Sequence, residues 1–287
     1  MESSNISQKR TKAAGQNIKE RDYWLEKLSG EWSKSVFPYD FSKSGSPGAS
    51  GPVSFRMDGD DFAGLMRLSN NSDHRLFMIL VSQLAVLLYR YTGSNDIIVG
   101  SPIVKQDMEG DFINTVLALR TTFAPGMTFK AFLMEVRRTV VEAAEHQNYP
   151  IGALLHKLGL KESKSGSFPL FDIAVLLENI HERDYLRDIG IDMVFTFRRT
   201  ERAIEGVLEY NPAHYDVSTI DGIVRHYKYL VGQITTVLDT PLADIGILSE
   251  EEKKRLLVDF NDTGGKYPEG KTIHRLFEEA RGMSTVL

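Results

Sequence analysis

The chain has 287 residues, 42% of them hydrophobic and 25% charged, a globular balance with enough apolar content for a sizeable core. A net charge of −5 gives no basic field for nucleic acid, and the lack of cysteine excludes disulfides, thiolate metal sites and a cysteine nucleophile. Met1 to Lys19 is polar with no apolar signal core, and the longest apolar run, Leu76 to Tyr89, is about 14 residues, short for a membrane span; a cytoplasmic protein is expected.

In chain order, Arg21 to Leu28 reads as a short helix ended by Gly30, and residues 40–52 as a loop dense in Ser, Gly and Pro. Val53, Phe55 and Met57 alternate with Ser54 and Arg56, as one face of a strand does. Leu76, Leu80, Leu84, Leu87 and Tyr91 fall at helical spacing, which predicts a central helix over 74–92 with Asp73 as N-cap and Gly93 as stop. Ile97 to Val99 and Val116 to Phe123 follow as strands. Thr128 then caps a second long helix, buried along Phe129, Phe132, Val136, Val140 and Ala143. Pro150 disfavours helical geometry at Tyr149, so this helix should end near His146. Leu154, Leu155 and Leu158 mark a short helix with Gly159 at its end. Leu170 to Leu177 reads as a buried strand, Ile191, Met193, Phe195 and Phe197 as the next, and Ile204, Leu208 and Tyr210 as a third. A last helix runs from its N-cap Asp216 to Leu238. Strands interleaved with helices imply an α/β sandwich, helices packed on a mixed sheet.

Several motifs lie on this frame. They are Tyr23-Trp-Leu-Glu-Lys-Leu-Ser-Gly30, Asp111-Phe-Ile-Asn-Thr-Val-Leu-Ala-Leu-Arg120, His146-Gln-Asn-Tyr-Pro150, Pro169-Leu-Phe-Asp172 and Glu209-Tyr-Asn211. In this order they resemble the C-terminal half of a condensation domain of nonribosomal peptide synthetases. The stretch from Asn261 to Glu278, with Thr263, Tyr267, Pro268, Thr272, Ile273, His274, Leu276 and Phe277, resembles the opening of an adenylation domain. The resemblance spans roughly residues 20–279.

It implies a CoA-dependent acyltransferase-like (chloramphenicol-acetyltransferase-like) two-layer α/β sandwich, present as a single half-domain with a mixed sheet. The implied domains are a polar tail over 1–19, the half domain over 20–248, and a linker with a truncated adenylation start over 249–287. Family members join a carrier-bound acyl or peptidyl thioester to the amine of a carrier-bound amino acid. Phosphopantetheine therefore sits on partner carrier proteins, and no cofactor or metal is expected on this chain. The implied partners are an adenylation domain, a peptidyl carrier protein and the N-terminal half of a condensation domain, with no nucleic acid and no membrane. The implied channel or structural residues are Asn114, Thr115, Arg120, His146, Gln147, Tyr149 and Pro150.

The family's catalytic loop reads His-His-x-x-x-Asp-Gly, its second His positioning or deprotonating the attacking amine. None of the seven histidines here has a neighbouring His, so no catalytic residue is assigned. Other departures are Lys105 and Gln106 for a usual Gly-Arg, Asn148 for a usual Asp, and Ser163 to Ser167 without the family's acid and guanidinium pair. Blander readings stand beside the motifs. His146 complements a helix dipole, Asn114 and Thr115 satisfy backbone groups or line a channel, and Arg120 is a solvated or paired edge residue rather than a ligand clamp. Glu250 to Arg255 is a solvated helix face. Asp107, Glu109 and Asp111 lack the glycine and terminal Glu of a calcium loop. Leu256, Leu257, Phe260, Ile273, Leu276 and Phe277 are expected to be partly exposed where an interface is missing. Two functional classes stay open: part of an amide-forming enzyme, or a degenerate half domain that scaffolds an adenylation domain. A free acyl-CoA acyltransferase is the third and weakest, since it would also need the His motif.

Overall fold

The computed structural model describes residues 17–40, 51–105, 114–161, 166–261 and 274. Residues 41–50 of the breaker-rich segment, the acidic loop at Asp107, Glu109 and Asp111, and the motif from Asp262 to Glu278, His274 apart, lie outside them. The chain divides into two compact units, Met1–Ile247 and Leu248–Leu287.

In the first unit the alternating and buried segments form six strands: β1 (Val53–Met57), β2 (Asp96–Pro102), β3 (Val116–Thr122), β4 (Ile173–Leu177), β5 (Met193–Arg199) and β6 (Ile204–Tyr210). They join in one sheet of order β1-β6-β5-β4-β2-β3. β2, β4 and β5 run parallel, while β1, β3 and β6 pair antiparallel with their neighbours, so the sheet is mixed. Every residue of β4 is buried, as befits a central parallel strand.

The helices are α1 (Ile18–Lys27), α2 (Gly59–Ser69), α3 (Asp73–Thr92), α4 (Phe129–Glu145), α5 (Ile151–Lys157) and α6 (Val217–Gln233). α3 packs against α2, α4 and α6 and against β2 and β4. Its length and apolarity match those of a membrane span, yet 67% of its apolar window is buried, which marks a core helix. Leu76, Leu80, Leu84 and Leu87 are fully buried, and Tyr227 of α6 stacks among Phe195 and Phe197 of β5 while its hydroxyl donates to the Leu80 carbonyl at 3.3 Å. Apolar helix stripes thus meet the sheet in one continuous core.

Several boundaries differ from the sequence reading. Ser72, not Asp73, caps α3 by accepting the Arg75 N–H, because Asp73 is engaged by Arg199 at 2.8 Å. β2 extends beyond Ile97–Val99 in both directions, and β4 starts at Ile173 rather than Leu170. α6 ends at Gln233, short of Leu238, where the Gln233 side chain donates to the carbonyls of Tyr229 and Gly246, both at 3.1 Å. α2 was not expected at all. Thr128 and Asp216 cap α4 and α6 as predicted.

In the second unit Ser249 caps α7 (Glu250–Leu257), whose Lys253 pairs with Glu250. Leu256 and Leu257 are exposed, the latter by 71%, as anticipated, and Val258 joins them. The side chains of Phe260, Ile273, Leu276 and Phe277 lie outside the described residues.

Candidate functional site

Most residues singled out from the motifs converge on the seam where α1 crosses β3 and the end of α4. Asn114 is buried just before β3; its carboxamide donates to the Val116 carbonyl at 2.8 Å and to the Gln147 carbonyl at 3.1 Å. One side chain thus fastens the His146–Pro150 turn to the start of β3. Thr115 stands beside it, its carbonyl accepting the Ile103 N–H at 3.0 Å. His146 is the C-cap of α4, where its Nδ1–H donates to the Glu142 carbonyl at 2.8 Å. Its ring stacks on Tyr23 at 4.1 Å, and its carbonyl accepts the Trp24 indole N–H at 2.8 Å. The Gln147 amide oxygen is buried, with no hydrogen-bond partner among the described residues. Tyr149 is buried and Pro150 caps α5.

Arg120 lies further along β3. Its guanidinium forks onto Asp96 of β2 at 2.7–3.0 Å and reaches the carbonyls of Ser29 at 2.6 Å and Lys27 at 3.2 Å. It therefore caps the C-terminal end of α1 while pairing two strands, a use of the planar fork that Lys cannot reproduce.

A second feature escaped the sequence reading. At the carboxyl end of β2, beneath α3 and α4, a cavity of about 320 Å³ opens on the β2–β3 floor. Ser101, Leu117 and Leu119 form its floor; Phe77, Val140, Ile180 and His181 its walls; and His74, Val141 and Glu145 its exposed rim. His181 is only 2% exposed. Its Nδ1 accepts the Leu177 N–H at 3.1 Å, so the neutral ring carries its proton on Nε2, and Phe77 meets it edge to face at 4.5 Å. Burial first, then the positive fields of His74 and Lys105, pulls this imidazole down to about 3, so it stays neutral at physiological pH. Val104 bridges to His181, which sets β2's continuation against the loop after β4. No sequence pattern exposes this site, because His181 follows an ordinary strand and its neighbours come from distant elements.

A third polar cluster sits at the other end of the strands. Lys34 donates to Asp172 at 2.8 Å and to Ser167 at 2.7 Å, and Ser167 donates to Asp172. Asp172 was quoted within a motif, but its partner Lys34 was not foreseen. Among the described residues no group of three or more His, Asp and Glu could hold a metal ion.

The family model of the condensation domain matches residues 6–257. Curated relatives include tyrocidine synthase 3 of Brevibacillus parabrevis, 34% identical over 278 residues covering 90% of this chain, and gramicidin S synthase 2 of Brevibacillus brevis, 33% identical over 283 residues covering 91%. The chain spans only 4% and 6% of their lengths. Among solved structures, the X-domain from teicoplanin biosynthesis superposes with TM-score 0.67 at 22% identity, covering 81% of this chain and 57% of that one. The starter condensation domain of rhizomide synthetase gives 0.62 at 19%, covering 85% and 57%. At these identities the structural likeness concerns the fold.

Proposed function

The chain belongs to the condensation-domain family of nonribosomal peptide synthetases, and we propose that it forms the C-terminal wall of an amide-forming site whose basic loop comes from a partner half. The observation that carries this reading is a family match over 6–257 in a sequence whose seven histidines include no His-His-x-x-x-Asp-Gly loop. The chain covers 57% of the X-domain and 57% of the starter condensation domain on which it superposes.

In this reading the substrates are thioesters on the phosphopantetheine arms of carrier domains. Asn114, Thr115 and the His146–Pro150 turn set the channel wall, and Arg120 positions it by locking α1 to the sheet. These residues act by holding geometry, the part of catalysis that comes from orientation. The segment from Asn261 to Glu278 is the start of an adenylation domain, the neighbour that such a wall serves. A chimaera tests this: residues 20–248 replace the matching segment of a relative's condensation domain, and peptide output is measured. Retained output, and its loss by at least about tenfold on Asn114→Ala at equal folding, is expected. An inactive but folded chimaera would sink the amide-forming reading.

One observation favours the second reading, a non-catalytic scaffold for an adenylation domain. Leu256, Leu257 and Val258 expose an apolar patch around the end of α7. The same chimaera separates the two, because a scaffold alone gives no product.

A further inference from the structure

Gln83 lies in the middle of α3 and is only 2% exposed, yet neither polar atom of its carboxamide has a partner among the described residues. Its neighbour Ser82 meets the same difficulty locally, by donating to the Met78 carbonyl at 2.7 Å. A buried amide with both donor and acceptor unengaged is costly and rare. The Gln83 side chain lines a small cavity where α3 meets the start of α4 and the end of α6, together with Val86, Phe129, Leu230 and Ile234, all of them buried. No charged side chain lines this space. Its volume of about 10 Å³, as swept by a water-sized sphere, meets the lower bound of roughly 10–15 Å³ for a single water and leaves room for nothing larger.

We propose that this cavity is a binding site for one internal water, held by the Gln83 carboxamide. A water needs about two to four polar partners, and the amide offers both an N–H donor and an acceptor oxygen. A further partner is the Leu230 carbonyl in the last turn of α6. The Ile234 N–H bonds the Val231 carbonyl at 3.1 Å instead of reaching back four residues to Leu230. The water thus pins α3 to the end of α6 where apolar packing alone leaves a polar group stranded. This site does not rest on the amide-forming reading, since every residue of it lies within the first unit.

The test is made on the full chain in solution. In the parent, the Gln83 side-chain amide protons should show a cross-peak to water with the sign of a long-lived bound molecule. Oxygen-17 relaxation dispersion should then count one long-lived water fewer in Gln83→Met, which keeps the length and helix propensity but removes both polar atoms. Val86→Ile adds a methylene to the cavity wall and leaves the amide in place, and it should lose the same water. If Gln83→Met fails to fold, Val86→Ile and the cross-peak decide. No cross-peak in the parent, or a dispersion unchanged in either folded variant, would overturn the proposal.

Discussion

Arg120 joins three elements through one guanidinium, so its geometry matters as much as its charge. Arg120→Lys keeps the charge but loses the fork onto Asp96 and the carbonyls of Lys27 and Ser29. Its expected cost is about 1.5–3 kcal/mol of unfolding free energy, and more for Arg120→Ala. Urea denaturation reads this directly; a loss for Arg120→Lys below about 0.5 kcal/mol would mean that the clasp is ordinary surface pairing. His181 sets a pH dependence instead. Its folded value of about 3 lies below its ordinary 6.5, so the unfolded chain takes up the proton first. Stability is therefore whole above pH 6.5 and falls as pH drops towards 3, by up to about 1.4 kcal/mol per unit from this group. Comparing the parent chain with His181→Gln between about pH 5 and 6.5, above the carboxylate range, isolates it. The glutamine can still accept the Leu177 N–H, and its slope should be the flatter of the two. Equal slopes would show that His181 charges freely in the folded chain.

At the scale of elements, what was legible and what was not have separate physical causes. The long helices were legible because caps and apolar stripes agree, as with Thr128 and the Phe129–Phe132–Val136 row of α4. α2 was hidden. It opens at Gly59, whose φ is +54°, and carries Gly64 in its middle, both of which read as loop. Gly64 is there for packing: a Cβ would lie 3.2 Å from the Thr235 methyl just beyond α6. The overrun of α6 has the opposite cause. Ile234 remains buried after the helix ends, so periodic burial continues past helical geometry. Of the candidate site, the Asn114–Gln147 seam was legible as motif, whereas the His181 cavity needs the third dimension. Gly100 of β2 offers an element-scale test. A Cβ there would lie 2.2 Å from the Phe171 ring, so Gly100→Ala should cost about 1–3 kcal/mol by overpacking. Adding Phe171→Leu, which withdraws the ring, should recover part of that loss. Additive costs in this double-mutant cycle would show that the ring moves aside freely.

At the scale of the whole molecule, the parallel strands β2, β4 and β5 carry their carboxyl ends towards one side, where Pro102, Ile180 and His181 meet. The motif seam at Asn114 adjoins the same floor through Thr115 and Ile103. A sheet flanked by helices thus presents one wall lined by apolar side chains together with His74, Glu145 and the neutral imidazole of His181. The most direct measurement loads a donor and an acceptor carrier domain and follows the amide product by mass spectrometry, with this chain alone and with a separately supplied half that bears the basic loop. The account predicts product only when both halves are present; amide formation by this chain alone would contradict it.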